Sequence, residues 1–191
     1  MIGMARPKEF DADLALEAAV TVFRDHGFEG TSAQMLVDAM GIGRQSLYDT
    51  FGDKWQLYQA AVRRYALSEV NAHRDAMQSG ARAIDGIRSM VARVVAEATT
   101  PCLGIGSIAE FGCTRPDLSE IRAKADRALR EGVISQVKAA QAEGDVGSDI
   151  DPDTVATFMV ASFAGIRIAA RGGADRAQLD ALGEMTLRAL R

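Results

Sequence analysis

The chain has 191 residues, a net charge of −4 and 48% apolar residues, which allows one domain or two small ones with a full core. Its two cysteines form no disulfide framework, and its two histidines lie too far apart for a usual zinc site. We therefore expect neither a disulfide scaffold, nor a metal, nor a cofactor.

The composition also bears on membranes and on fold class. The longest apolar stretch, residues 155–166, is too short to cross a bilayer, and the N-terminus lacks the apolar core of a signal peptide. We expect a cytoplasmic protein without membrane association. Aromatic residues are scarce, prolines number four, and no segment alternates with period two for long, so the sequence predicts an all-α fold.

The first 80 residues predict an arm followed by four helices. The arm, residues 1–10, carries Arg6 and Lys8. Apolar spacing and capping residues predict helices over residues 11–26, 32–40, 44–51 and from Lys54 to about residue 80.

The remainder predicts further helices that form the body of the protein. Periodic apolar residues indicate helices over 83–99, 116–143, 151–170 and from about 176 onward. Between Cys102 and Cys113 the chain is rich in glycine, and we expect at most a short, irregular helix around 108–111.

The two short helices have the layout of a helix-turn-helix. Thr31 and Ser32 can cap the first of them, and Gly41 tolerates the left-handed backbone that follows a helix. The second helix buries Leu47 and Phe51 and turns polar residues outward. In a helix-turn-helix this second helix lies in the DNA major groove. The alternative is a structural hairpin without DNA contact.

A dispersed set of residues between positions 10 and 60 carries a family resemblance. Its members are Ala18, Ala19, Phe23, Gly27, Thr31, Ser32, Gly41, Ile42, Leu47, Tyr48, Phe51 and Lys54. With them the chain resembles the DNA-binding domain of the tetracycline-repressor (TetR) family of bacterial transcription regulators. The resemblance implies a three-helix DNA-binding domain over residues 1–53 and a helical ligand-binding and dimerisation domain over 54–191. It also implies a repressor that a small molecule releases from a palindromic double-stranded DNA operator.

The candidate DNA contacts combine residue chemistry with this resemblance. They are Thr31, Arg44, Gln45, Ser46, Tyr48, Thr50 and Lys54. Arg44 can bind guanine or phosphate and Gln45 can read adenine, while Tyr48 and Lys54 match phosphate contacts of the family.

Two features run against the DNA interpretation. Residues 1–65 carry seven basic and nine acidic side chains, so this part is not basic overall. Asp49 and Thr50 also depart from the family pattern, because an aromatic residue and a histidine are more usual there. Phosphate repels a carboxylate, so Asp49 either accepts a cytosine amino group or points to solvent.

The helix after Asp151 suggests a dimer. It is apolar nearly all round, and only one further helix follows it. A helix of this kind must be covered on every side. Two such helix pairs from two subunits would form a four-helix bundle, and the family resemblance implies the same homodimer. The alternative is a monomer that buries this helix in its own core.

The resemblance also implies a cavity in the body whose occupant reorients the long helix from Lys54. The candidate lining residues are Met77, Met90, Phe111, Phe158, Met159, Phe163 and Arg167. Arg167 interrupts an apolar stretch and needs an anionic partner. That partner is an acid of this chain, a carboxylate on the ligand, or an acid across the dimer interface.

Cys102 opens an alternative, because its position resembles the cysteine of electrophile-sensing TetR regulators. The other interpretation is an inert, buried thiol. No nucleophile elbow, phosphate loop or zinc-protease motif occurs in the sequence, so we expect no enzyme. A helical adaptor without DNA activity is a further alternative.

Overall fold

The computed structural model describes residues 10–190, which form nine helices and no strand, as expected for an all-α protein. The helices are α1 (Ala12–His26), α2 (Ala33–Met40), α3 (Arg44–Phe51), α4 (Lys54–Gln78), α5 (Ala83–Ala96), α6 (Leu103–Phe111), α7 (Pro116–Ala142), α8 (Pro152–Arg171) and α9 (Arg176–Arg188). The predicted N-terminal arm with Arg6 and Lys8 lies outside the described residues.

Local capping signals explain where the first helices begin and end. Asp11 caps α1, because its carboxylate accepts hydrogen bonds from the amides of Asp13 and Leu14. Gly41 adopts the left-handed conformation, with φ of 65°, and so turns the chain from α2 into α3. The predicted bounds of α3 are confirmed.

The start of α2 corrects one expectation. The side chain of Ser32 accepts a hydrogen bond from the amide of Met35 and caps the helix. Thr31 does not share this role, because its hydroxyl donates to the carbonyl oxygen of Gly27 and is buried. The buried threonine therefore closes the loop after α1, and Ser32 alone caps α2.

Helix α6 is longer and more regular than the sequence predicts. It spans nine residues in spite of Gly104 and Gly106. Leu103 and Ser107 are buried, and the guanidinium of Arg122 on α7 donates to the carbonyl oxygen of Ser107 at 2.9 Å. Tertiary contacts thus stabilise a helix that its glycine content disfavours.

The apolar side chains form two core clusters that meet along α4. The first cluster joins α1, α2, α3 and the N-terminal half of α4. Leu103 of α6 and Leu118 of α7 belong to it as well, so two helices of the body help to bury this core. The second cluster joins the C-terminal end of α4 with α5, α7, α8 and α9.

An aromatic cluster connects the first three helices to the body. Its members are Phe28, Trp55, Tyr58 and Phe111, with ring centroids 5.2–5.8 Å apart. The indole N–H of Trp55 donates to Asp117 on α7 at 2.8 Å, and the guanidinium of Arg115 lies 3.5 Å from its ring. The start of α4 is therefore held firmly against α6 and α7.

Helix α8 is only partly covered within the chain. Met159 and Ile166 are buried, whereas Phe158 and Ile168 are 44% and 58% exposed. By length and composition alone the whole helix could cross a membrane, but this is weak evidence, because a buried core helix passes the same test. Helix α8 packs on α5, α7 and α9, and its outer side leaves an apolar face open.

Candidate nucleic-acid interface and ligand cavity

Helix α3 presents one polar face to solvent and one apolar face to the core. Leu47 is 1% exposed and fixes the helix against the first core cluster. Arg44 and Gln45 are exposed, and the guanidinium of Arg44 lies 5.9 Å from the centroid of the Tyr48 ring. The half-buried Ser46 and Thr50 flank the same face. This arrangement offers donors and acceptors along one side of a short helix, as DNA reading requires.

Two other candidate DNA contacts, Lys54 and Thr31, lie outside α3. Lys54, the first residue of α4, holds its ammonium 4.3 Å from the centroid of the Phe28 ring, a cation–π contact. Thr31 is 2% exposed and has its hydroxyl bonded to the backbone. Lys54 is therefore half-buried against Phe28, and Thr31 does not present its hydroxyl to solvent.

Asp49 has a partner that its position alone did not reveal. Its carboxylate accepts a hydrogen bond from the side-chain amide of Gln45 at 2.8 Å. The two residues are four apart, a spacing at which helix side chains meet, so an (i, i+4) search of the sequence could have found the pair. Asp49 is exposed and fixes the orientation of the Gln45 amide in the free protein.

A cavity of about 260 Å³ lies in the body between α4, α6, α7 and α8. Three predicted residues line it, namely Phe163, Arg167 and Cys102. The remaining lining side chains from α4 and α7 include Tyr65, Glu69, His73, Arg122, Asp126 and Leu129. The middle of α4, from Val62 to His73, lines the cavity, and Lys54 is the first residue of the same helix.

Five of the predicted lining residues lie elsewhere. Met77, Met90 and Met159 are buried in the second core cluster. Phe111 belongs to the aromatic cluster, and Phe158 lies on the open face of α8. Helical spacing places residues on an inner face, but it does not distinguish close packing from a cavity wall.

Arg167 finds its anionic partners within the chain. Its guanidinium lies 3.2 Å from Glu69 and 3.8 Å from Glu97, and Arg93 lies 2.8 Å and 2.9 Å from the same two carboxylates. We call these four residues the interhelical ion network. It connects α4 to α5 and α8. The anionic partners of Arg167 are thus acids of this chain.

His73 lies beside this network and was missed by the sequence interpretation. Its ring stacks on Phe163 with centroids 5.6 Å apart and planes 11° apart. Burial, and then the neighbouring charge of Arg93, lower the pKa of His73 to about 4. The imidazole is therefore neutral near pH 7.

The lowered pKa of His73 predicts a pH-dependent stability. An unfolded histidine takes up a proton near pH 6.5, but the folded one does so only near pH 4, so the free energy of unfolding should fall as the pH drops between these values. The loss should approach about 3 kcal/mol. Urea unfolding at pH 7 and pH 4.5 should show a smaller difference in His73→Gln than in wild type. An equal difference in both proteins would contradict the assignment.

A carboxylate on α6 links the cavity wall to the helix-turn-helix. Both oxygens of Glu110 accept a hydrogen bond from the amide of Phe28 at 3.0 Å, and one also accepts from Glu29 at 3.3 Å. Gly27 has a φ of 70°, and a Cβ there would lie 2.6 Å from the Glu110 carboxylate. Helix α6 thus contacts the turn before α2, so a displacement of its cavity-lining residues would change the contacts of that turn.

The described part of the chain, residues 10–190, contains no cluster of three or more His, Cys, Asp or Glu side chains placed to hold a metal ion.

Together, a helix-turn-helix with an exposed recognition helix and a helical body with a cavity define a DNA-binding protein of the helix-turn-helix class. Residues 15–61 match the family model for bacterial regulatory proteins of the tetR family. Residues 81–184 match the tetracyclin repressor-like C-terminal domain. The chain belongs to the TetR family of transcription regulators.

Individual relatives match over nearly the whole chain. The chain is 31% identical to the uncharacterized HTH-type transcriptional regulator YezE of Bacillus subtilis (strain 168), covering 92% of this chain and 94% of that protein. It is also 31% identical to the HTH-type transcriptional repressor ComR of Escherichia coli (strain K12), covering 96% and 90%. Among solved structures it is similar to a cysteine mutant of the TetR family regulator CifR complexed with 26 bp double-strand operator DNA, with a TM-score of 0.78, 31% identity and coverage of 98% and 100%.

Proposed function

We propose that the protein is a homodimeric repressor that binds a palindromic operator and that a small molecule releases from DNA. The main support for the proposal is the polar, solvent-facing side of α3, whose opposite side packs on the core through Leu47. The operator-bound structure of the similar CifR and the repressor ComR support it. In a two-fold dimer the recognition helices would enter successive major grooves, roughly 34–36 Å apart.

We further propose the division of labour between the two parts of the chain. Residues 1–53 would bind DNA, through the polar face of α3 together with Lys54 at the start of the next helix. Residues 54–191 would bind the ligand and form the dimer. Family membership supports a transcription regulator and disfavours both an enzyme and a DNA-independent adaptor. We place the protein in the cytoplasm, where bacterial DNA lies.

Repression is tested with a reporter gene. A duplex selected for binding is placed over the promoter, and expression is measured with wild type and with the double variant Arg44→Ala, Tyr48→Ala. Wild type should lower expression, and the double variant should not. Higher expression with wild type would identify an activator, and equal expression with both proteins would refute regulation through α3.

The dimer interface is proposed to be the apolar face of α8 and α9. Besides Phe158 and Ile168, α9 leaves Leu182 and Met185 exposed by 40% and 57%. Covering this face removes apolar surface from water, which is the usual driving force for obligate dimers.

A charge in this face should separate the subunits. Met185→Glu would place a carboxylate in the apolar contact of each subunit, so we expect a monomer in analytical ultracentrifugation and loss of operator binding. Leu14→Glu is the matched control, because Leu14 is 69% exposed on α1 and lies outside this face. It should remain dimeric. A dimeric Met185→Glu protein would disprove the proposed interface.

Thiol modification is a second candidate for the signal, since Cys102 lines the cavity. Its thiol lies beside Tyr65, whose pKa is raised by burial and then by Cys102. If modification is the signal, N-ethylmaleimide should release operator DNA from wild type and from Cys113→Ser, but not from Cys102→Ser. Release from all three proteins would exclude Cys102 as the sensor.

A further inference from the structure

The charged side chains on the cavity wall cancel one another. The wall carries two carboxylates and two guanidinium groups, from Glu69, Asp126, Arg122 and Arg167. Arg93 and Glu97 complete the interhelical ion network next to the wall with one further charge of each sign. The cavity therefore has no net formal charge to offer a ligand.

The two arginines are also engaged by groups of the protein. Arg167 pairs with Glu69 at 3.2 Å and is only 6% exposed. Arg122 donates to the carbonyl oxygens of Ser107 and Gly112 and to the hydroxyl of Ser119, which hold it against α6 and the N-terminal turn of α7. A ligand carboxylate would have to replace Glu69 beside Arg167, and a ligand cation would lie beside the guanidinium groups.

His73 does not change this balance, because its imidazole is neutral near pH 7. A charged molecule that enters the cavity gives up part of its hydration, which is costly, and the one charged wall residue for which the described residues show no ion pair or hydrogen bond is Asp126. Asp126 is exposed, so solvent screens its carboxylate and it attracts a cation only weakly. An uncharged molecule avoids that cost. The charge pattern therefore disfavours both anions and cations.

Size and wall chemistry narrow the choice further. The volume of about 260 Å³ lies below the range of roughly 300–1,000 Å³ usual for drug-sized ligands. The rest of the wall is mainly apolar, and its larger side chains are Tyr65, Ile105, Ile108, Leu129 and Phe163.

We infer that the cavity binds a compact, uncharged and mainly apolar molecule, of about the size of a single substituted ring. The inference rests on the proposed function, in which the occupant of this cavity is the inducer. It names the chemical class of that inducer and excludes carboxylates and amines of the same size.

Three probes of nearly identical shape test the charge preference, namely nitrobenzene, benzoate and benzamidinium. Their binding to the purified, DNA-free protein is measured by calorimetry at pH 7. Nitrobenzene should bind at least about tenfold more tightly than either charged probe, because only the charged probes lose ionic hydration. Equal or tighter binding of benzoate or benzamidinium, or no binding of any of the three, would overturn the inference.

Two glycines on α6 provide a matched pair of variants that test where nitrobenzene binds. A Cβ on Gly104 would lie 3.7 Å from the sulfur of Cys102, at the cavity wall, whereas a Cβ on Gly106 would meet nothing within 4 Å. Gly104→Leu should weaken nitrobenzene binding by at least about tenfold by filling the cavity, and Gly106→Leu should leave it unchanged. Unchanged binding in Gly104→Leu would show that nitrobenzene binds elsewhere and would overturn the inference.

Operator binding is measured separately on the same preparations. A protein that binds operator but shows no preference for the uncharged probe refutes the inference and leaves DNA binding intact. A protein that prefers nitrobenzene but binds no operator supports the assigned cavity chemistry and refutes the proposed function. The two failures are thus distinguishable.

Discussion

Arg44→Ala should relax base preference at one position of each half-site, whereas Lys54→Ala should weaken binding to all sequences alike. Arg44 is exposed in the first turn of α3, where a guanidinium can reach a base edge. A bidentate contact of this kind discriminates against the wrong base by about 1–3 kcal/mol. Lys54 is the first residue of α4, three positions after the last residue of α3, and its ammonium would act on phosphate as a point charge.

The two effects separate in titrations of the selected operator and its single-base variants at several salt concentrations. Lys54→Ala should lower the salt dependence by about one unit per subunit. Lys124→Ala is the matched control, since Lys124 is paired with Glu120 on the surface of α7, and it should change neither quantity. Equal affinity losses with unchanged specificity in Arg44→Ala and Lys54→Ala would refute this division of roles.

Glu69→Ala should cost about 3 kcal/mol of unfolding free energy. The side chain of Arg167 is 8% exposed and that of Arg93 is 17% exposed, and both pair with Glu69. Removal of the shared carboxylate leaves two largely buried cations with only Glu97 as partner. Because Glu97 remains as a partner, we expect a cost at the lower end of the range for broken buried ion pairs.

The control for this prediction is Glu120→Ala. The pair of Glu120 and Lys124 is formed at 2.8 Å, but both side chains are more than two-thirds exposed. Exposed pairs contribute little, and we expect almost no change in the free energy of unfolding. Urea denaturation of both variants provides the comparison. A similar cost for the two would mean that burial does not strengthen the network around Glu69.

The sequence alone predicted the elements whose signals are local. Ser32 and Gly41 mark helix ends through capping and backbone conformation, and the structure places helix boundaries beside both. The polar face of α3 followed from the spacing of Leu47 and Phe51. Such signals act within a few residues, which is why one sequence suffices to detect them.

Features that depend on distant contacts could not be predicted in this way. Helix α6 forms because Arg122 and the core secure a segment with two glycines. Glu110 binds the amide of Phe28 from 82 positions away. The pairing of Glu69 with Arg167 spans 98 positions, and no spacing rule connects residues so far apart. For the same reason the cavity wall was predicted only in part.

The most direct test is selection of bound duplexes from a random pool by the purified protein, at two salt concentrations. We expect an enriched palindrome whose half-sites lie one helical turn apart, and loss of this enrichment in the double variant Arg44→Ala, Tyr48→Ala. Failure of a folded dimer to enrich any sequence at low salt would contradict sequence-specific DNA binding and, with it, the proposed repressor.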